Sequence, residues 1–488
     1  MTLLYCFAGV FIGTLVGVLP GIGPMGAMAI LLPSTYGLPP AASIIMLSGI
    51  YYGAMYGGST TSILVNIPGE AASVITCLDG YQMARAGRAG PALSIAAFGS
   101  FIGGTFSIVA LQFLVFPLSD AALKFGPPEF FALMCLGMTI LTYLARGTAV
   151  DAMLMVLLGL ILGTVGMDPI LGTPRFHFGS TSLLDGVGLV PVAMGLFGIS
   201  EVLFALEREV VRDILQARLA KSLPTREDWR RSAGPIGRGS LIGFLCGIIP
   251  GGGAVMSSFL SYSIEKRLSK RPEEFGCGAI EGVAGPESAN NAAAGGAFVP
   301  MLALGIPPSP IMGLLLGALM IHGVTPGPLL ISQHPEIFWG VIASMYIGNA
   351  MLVLLNLPLV GIWVRVLRIP SRLLLPLILF CCLIGAYSAN NNPTEVVIMV
   401  VFGVVGYVLR KLKYDMAPLI MALVLGPLIE ANFRNSLIMS DGRFRIFLQW
   451  PISGPVLMFA ALLLVSTTFS AYRKNKARMD SSGLSEDA

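Results

Sequence analysis

The chain alternates long apolar stretches with short polar or Pro-Gly interruptions. A membrane helix needs about 20 mostly apolar residues to cross a hydrocarbon core of about 30 Å. Stretches that qualify run near 41–68, 92–117, 128–146, 150–167 and 187–206. A second series runs near 278–320, 337–360, 373–390, 394–410, 416–430 and 452–471. One long polar insert, 207–238, lies between them. Within it Val211, Ile214, Leu215 and Leu219 form an apolar stripe flanked by Arg212, Arg218 and Lys221. That pattern fits a surface amphipathic helix leading into the second half. It fits a solvated cytoplasmic loop equally well.

The interruptions occur twice. Gly13-x-x-x-Gly17-Val18-Leu19-Pro20-Gly21-Ile22-Gly23 is matched by Gly243-x-x-x-Gly247-Ile248-Ile249-Pro250-Gly251-Gly252-Gly253. A second break follows each. Gly57-Gly58-Ser59-Thr60-Thr61 runs on to Asn66-Ile67-Pro68-Gly69, and Asn290-Asn291 with Gly295-Gly296 runs on to Gly305-Ile306-Pro307-Pro308. Further along, Asp151 to Gly159 aligns without a gap to Glu395 to Gly403, and Pro191 to Met194 aligns to Pro418 to Met421. The organisation expected is a first repeat over 1–206, a cytoplasmic linker over 207–238, a second repeat over 239–440, and a last transmembrane helix with a basic cytoplasmic tail over 441–488. A duplicated apolar chain with Pro-Gly breaks at matching places points to a secondary transporter, with its site at the breaks.

Loop charge sets the orientation, because Lys and Arg are enriched in short cytoplasmic loops. In the first half the loop 34–40 has neither, while 70–91 carries Arg85 and Arg88. In the second half 264–277 carries Lys266, Arg267, Lys270 and Arg271, while 322–336 has neither. Equivalent loops fall on opposite sides, so the repeats are expected to be inverted. The insert 207–238, with eight basic residues, belongs in the cytoplasm. Segment 239–263 then has cytoplasmic sequence on both flanks. A re-entrant hairpin with its tip at Pro250–Gly253 satisfies this. Its arm Gly239–Ile249 reaches roughly 16 Å, about half of the hydrocarbon core. By symmetry Pro20–Gly23 is the tip of a hairpin from the other side. A kinked full crossing is the alternative.

Composition narrows the class. The chain is 55% hydrophobic and 11% charged, with a mean hydropathy of +0.81; soluble domains carry about a quarter charged residues. The fold expected is an all-α polytopic membrane protein with two inverted-topology repeats, each with a re-entrant Pro-Gly hairpin and a broken helix, plus a C-terminal helix. The net charge of +4 is small and no basic cluster suggests nucleic acid. The seven cysteines and three histidines show no metal-ligand spacing. No P-loop and no Gly-x-Ser-x-Gly elbow is present, which argues against an ATP-driven pump and an intramembrane enzyme. A channel is not separated from a carrier by these features. Residues 1–69 contain no Lys or Arg, so no cleavable signal is expected and the first apolar segment stays in place.

The chemistry is expected at the breaks. Ser59, Thr60, Thr61 and Asn66, with Asn290, Asn291 and Ser309, offer hydroxyls and amides that hold a carboxylate substrate without a fixed cation. Small polar residues also serve helix packing in membranes. The tips Pro20, Gly21 and Gly23, and Pro250, Gly251 and Gly253, offer helix-end N–H groups for anions and unpaired carbonyls for Na⁺. No further cofactor or metal is expected, with Na⁺ or H⁺ as coupling ion. Glu287 abuts the Ser/Asn patch, and an intramembrane carboxylate is a functional candidate. Asp151 and Glu395 are the available titratable pair, and both read as helix-start residues. Glu70, Asp79, Glu281, Arg85 and Arg88 read as lying in or near loops.

The motifs at 17–24 (Gly-Val-Leu-Pro-Gly-Ile-Gly-Pro), 56–69 (Tyr-Gly-Gly-Ser-Thr-Thr-Ser-Ile-Leu-Val-Asn-Ile-Pro-Gly) and 286–292 (Pro-Glu-Ser-Ala-Asn-Asn-Ala) resemble those of the large membrane subunit of bacterial tripartite tricarboxylate transporters. The resemblance covers essentially the whole chain. It implies symport of a di- or tricarboxylate such as citrate across the inner membrane, driven by an ion gradient, with a small membrane subunit and a periplasmic solute-binding protein as partners. A carrier working without a binding protein is the alternative. The chain departs from the family in two places. Pro308-Ser309-Pro310 stands where many members have Gly-Ser, and the chain starts almost at the first motif, where members carry a short extra segment.

Overall fold

The structure, a computed structural model, describes residues 2–19, 23–145, 148–207, 223–251, 253–367, 369 and 371–466. The expected stripe over 211–219, the tip residues Pro20 and Gly21, and the basic tail lie outside the described residues. The longer helices are α1 (Thr2–Val18), α2 (Gly23–Leu31), α3 (Pro40–Val65), α4 (Val74–Arg85), α5 (Ala89–Ala122), α6 (Pro127–Leu144), α7 (Ala149–Gly163) and α8 (Leu189–Glu207). They continue with α9 (Arg226–Ile248), α10 (Gly253–Leu268), α11 (Glu281–Gly296), α12 (Phe298–Leu304), α13 (Pro310–Ile321) and α14 (Pro335–Asn356). The last are α15 (Ser371–Asn390), α16 (Pro393–Lys411), α17 (Ala417–Met439) and α18 (Ser453–Ser466). Among the described residues six helices, α5, α6, α8, α14, α16 and α17, are long and apolar enough to cross a membrane.

The broken helices end in the same way. α3 stops at Asn66 and α12 at Gly305, both with left-handed backbone (φ 59° and 69°). Each is followed by Ile-Pro, and proline removes a helix donor and disfavours helical backbone before it. Glycine and asparagine are the residues that accept a left-handed cap. The apolar stretch 278–320 is thereby interrupted between α12 and α13. Two other expectations change. The segment 70–91, read as a loop, contains α4, with Thr76 and Asp79 buried. α9 runs unbroken across position 238, from a capping box in which Thr225 and Asp228 each accept the other's backbone N–H.

The chain forms two compact units, Met1–Leu123 with Val190–Tyr407, and Lys124–Leu189 with Val408–Ala488. Neither coincides with a sequence half. In the first unit, α1 and α3 run parallel in backbone contact. A Cβ at Gly9, Gly13 or Gly17 would collide with the backbone of Met46, Ile50 or Ala54. α9 and α11 do the same: Gly239, Gly243 and Gly247 face Gly285, Ala289 and Ala293. The two sets correspond at constant offsets (9 to 239, 13 to 243, 17 to 247; 46 to 285, 50 to 289, 54 to 293). Small residues at this spacing permit the approach. Because the outer helices are parallel, the chain between them must return to its starting level. Arg238 on α9 accordingly meets Glu265 on α10 (2.8 and 2.5 Å). The two helix pairs run in opposite directions: along α3, the Tyr51 ring lies tilted against Phe298 (6.3 Å between centroids) while Ser59 reaches back to Glu287.

The second unit packs α7 on α17, with Gly159 against Leu419 and Ala422. Arg175 grips Glu430 (2.7 and 3.2 Å) and Arg434 grips Asp168 (3.0 and 2.8 Å). In the first unit Gly403 of α16 meets Gly195 of α8. By the sequence alignment, 159 corresponds to 403 and 422 to 195. Each unit therefore holds a close glycine contact between one helix of each sequence half.

Candidate functional site

The site forms where α3, α4 and α5 meet α11. Glu287 sits on α11 and is fully buried. Its Oε2 accepts the Ser59 hydroxyl (2.5 Å) and its Oε1 accepts the Thr76 hydroxyl. Ser100 Oγ donates to the Glu287 carbonyl (3.4 Å). Asn291 Nδ2 donates to Ser100 Oγ (2.7 Å) and to the same carbonyl (3.2 Å). Beside it, Asn290 Nδ2 donates to Glu70 Oε1 (2.5 Å), and Asn290 Oδ1 has no partner. Tyr56 donates to Asn349 Oδ1 (2.6 Å), whose Nδ2 reaches the Phe101 carbonyl and Thr105 Oγ1. Among the described residues no Lys or Arg pairs with Glu287 or Glu70, and 1–69 and 272–364 contain none. A buried charge is costly unless something compensates it, and the printed partners of these carboxylates are Ser59, Thr76 and Asn290. A cavity of about 10 Å³ adjoins the network, lined by Tyr56, Ser59, Thr60, Ser100 and Asn356 with Leu93 and two alanines.

The breaks are fastened to the tips. Thr61 Oγ1 donates to the Val18 carbonyl at the end of α1 (2.7 Å). Gly251, at φ 77°, donates its N–H to the Pro308 carbonyl (2.8 Å). Gly69 packs on the Gly17 carbonyl, where a Cβ would not fit. Gly23 and Gly253 also have positive φ, as a sharp turn requires.

The proposed substrate residues thus divide. Ser59, Thr60 and Asn291 gather around Glu287 and the cavity, and Asn290 holds Glu70. Thr61 ties down a helix end. Ser309 caps α13 by accepting the Met312 N–H (3.4 Å). Asn66 is an exposed helix cap. Of the tip residues, Pro250, Gly251, Gly23 and Gly253 are described, and Pro20 and Gly21 are not. Glu287 sits inside the polar cluster it was expected to abut, and Glu70, read as a residue in or near a loop, is buried beside it. Asp151 does cap α7, accepting the Thr148 N–H (3.0 Å). At α16 the side-chain cap is Asn392, which accepts the Thr394 N–H (3.0 Å). Glu395 instead is buried and accepts from Asn390 (2.7 Å). Thr76, Ser100, Asn349 and Asn356 carried no motif that marked them.

A charged clasp lies elsewhere in the same unit. Arg88 pairs with Asp228 (2.5 Å), and Arg231 with Glu281 and Glu274. Asp79 accepts the N–H groups of Gly276, Gly278 and Ala279 and the Tyr262 hydroxyl. These bonds join the segments 70–91, 223–238 and 264–281. The 280 Å³ cavity there has its arginines Arg231, Arg238 and Arg271 already paired to carboxylates.

The model of the tripartite tricarboxylate transporter TctA family matches residues 3–421. The chain belongs to that family. A relative from Agrobacterium vitis, described as an uncharacterized 52.8 kDa protein in the TAR-I ttuC' 3' region, is 49% identical to this TctA-family chain over 479 residues, 98% of this chain and 95% of the relative. Another from the same organism, in the TAR-II ttuC' 3' region, is 50% identical over 234 residues, 48% of this chain and 97% of the relative. No solved structure matches. The TctA-family protein is therefore the large membrane subunit of a tripartite tricarboxylate transporter, a multi-pass membrane protein and not an enzyme.

Proposed function

We propose that this subunit carries a di- or tricarboxylate such as citrate across the bacterial inner membrane by symport with Na⁺. A periplasmic binding protein delivers the substrate and a small membrane subunit works alongside. One observation carries the reading: a buried cluster of hydroxyls, amides and two carboxylates, beside paired helix breaks, with no Lys or Arg paired to it among the described residues. A multiply charged anion cannot enter such a low-dielectric site uncompensated, so cations must travel with it. Ser59, Thr60, Thr61, Asn66, Asn290, Asn291 and Ser309 are the proposed substrate contacts. The Pro-Gly tips are proposed to present helix-end N–H groups and cation-binding carbonyls.

The membrane architecture belongs to the same proposal. Two inverted repeats, each with a re-entrant hairpin, are supported by the corresponding glycine contacts, by the opposite directions of the two helix pairs, and by the Arg238–Glu265 bonds across the second hairpin. The clasp of Arg88, Asp228, Arg231 and Glu281 supports a common cytoplasmic side for the segments that loop charge places there.

A second reading has its own observation. Glu287 and Glu70 are titratable groups within the site, which suits coupling to H⁺. Vesicles containing both membrane subunits and the binding protein decide the matter. Labelled citrate and other carboxylates should accumulate under an imposed Na⁺ gradient at constant pH. Accumulation that follows a pH gradient with Na⁺ absent selects the proton. Uptake without the binding protein favours an independent carrier.

A further inference from the structure

The cavity beside Ser59 is faced by Thr60 and by three hydroxyls, of Tyr56, Ser59 and Ser100, whose hydrogens are committed elsewhere. Tyr56 gives its hydroxyl hydrogen to Asn349 Oδ1 (2.6 Å), Ser59 to Glu287 Oε2 (2.5 Å), and Ser100 to the Glu287 carbonyl (3.4 Å). Asn356 lines the same cavity from the end of α14. Its Nδ2 is spent on the Leu352 carbonyl (2.9 Å). Its Oδ1 has no partner, in a side chain only 4% exposed. Lone pairs are therefore what these groups have left to offer. A buried acceptor left unsatisfied is destabilising, so an occupant is called for. The volume, about 10 Å³, admits one body the size of a water molecule.

Charge and ligand type identify the occupant. Glu287 lies behind Ser59, one hydrogen bond from the cavity, and has no basic partner among the described residues. A neutral water would satisfy Asn356 and leave an ionised Glu287 uncompensated. A small cation does both. Amide and hydroxyl oxygens are hard ligands that suit alkali and alkaline-earth ions rather than transition metals. Among the described residues there is no group of three or more His, Cys, Asp or Glu able to hold a metal ion. One nearby carboxylate balances one positive charge.

We infer that this cavity is a Na⁺ site, ligated by Asn356 Oδ1 and the hydroxyl oxygens of Ser59, Ser100 and Tyr56, with Glu287 as its counter-charge. The inference rests on the symport reading and adds a cation position distinct from the Pro-Gly tips. Ser59 belongs both to the site and to the polar face proposed for substrate, so a filled cavity fixes the side chain that substrate meets.

The test needs no transport. The purified subunit is titrated with NaCl against KCl at constant ionic strength, without substrate, while thermal unfolding is followed; a ligand that binds only the folded state raises the melting temperature saturably. Na⁺ is expected to do so and K⁺ is not. Asn356→Ala and Ser59→Ala should each raise the half-saturating Na⁺ concentration about tenfold or more. Asn356→Asp keeps the ligating oxygen and should still show a saturable Na⁺ response, which separates lost ligation from damaged packing. Unchanged half-saturation in both alanine variants overturns the site; if vesicle uptake still follows Na⁺, the symport reading survives. No Na⁺ effect on the wild type, with uptake following a pH gradient, overturns both.

Discussion

At the scale of single residues, the candidate site is a network of hydrogen bonds in which no Lys or Arg takes part among the described residues. Asn291 spends one amide on Ser100 and on the Glu287 carbonyl, and Thr60 faces the cavity. Asn291→Ala and Thr60→Ala are each expected to weaken uptake, since a hydrogen bond to a charged group contributes about 1.5–3 kcal/mol, or about ten- to a hundredfold in affinity. Concentration-dependent uptake, with assembly checked by size-exclusion chromatography, measures it; wild-type kinetics in both would remove these residues from the site. A different residue reports acid stability. Asp168 accepts the backbone N–H groups of Leu171 and Ile170 and the Arg434 guanidinium, which hold its carboxyl down at about 2 against an ordinary 3.8. Its folded-state pKa is depressed, so its contribution is complete above pH 3.8 and is lost as pH falls toward 2. Asp168→Asn should therefore flatten the dependence of unfolding on pH inside that window and leave the dependence above it unchanged.

At the scale of elements, the glycine contacts set how closely helices approach. A Cβ at Gly13 or Gly243 meets the backbone of Ile50 or Ala289, which cannot move aside as a side chain can. Gly13→Ala and Gly243→Ala should each destabilise by about 1–3 kcal/mol, the range for overpacking. Gly237 is on the same helix as Gly243 but has nothing within 4 Å of the added carbon. Gly237→Ala should stabilise by about 0.5–1 kcal/mol through the entropy that glycine loses on folding. Thermal unfolding in detergent reads all three, and equal effects at Gly237 and Gly243 would dismiss the close approach. The breaks were legible in the sequence because Pro and Gly mark backbone directly. The burial of α4 was not. Asp79, Arg85 and Arg88 made that segment read as a loop, but Asp79 is satisfied by three backbone N–H groups and a tyrosine that come from nearly two hundred residues away.

At the scale of the whole molecule, the membrane class could be read from apolar length, and the repeated motifs are what carry the proposal of a duplication. The composition of the site was only half legible. Ser59, Asn290 and Asn291 stood beside the breaks, whereas Thr76, Ser100 and Asn356 enter it through helix crossings that no local pattern encodes. The compact units also differ from the sequence halves, because each takes helices from both. Topology is the property to test here. Single cysteines at Arg230 and Lys270 should label from the cytoplasmic face only, as the bonds of Arg231 to Glu274 and Arg238 to Glu265 lead one to expect. Labelling from opposite faces would show that α9 and α10 together cross the membrane.

The parallel glycine contacts have a consequence in the gene. Every single-base change in the first or second position of a glycine codon that still encodes an amino acid installs a Cβ. At Gly9, Gly13 and Gly17, and at Gly239, Gly243 and Gly247, that atom would meet main chain. Neutral drift at these codons is thereby confined to the third base, and no conservative neighbour is available as a stepping stone. Two separated stretches of the coding sequence should show the same depletion of missense variants at every fourth codon.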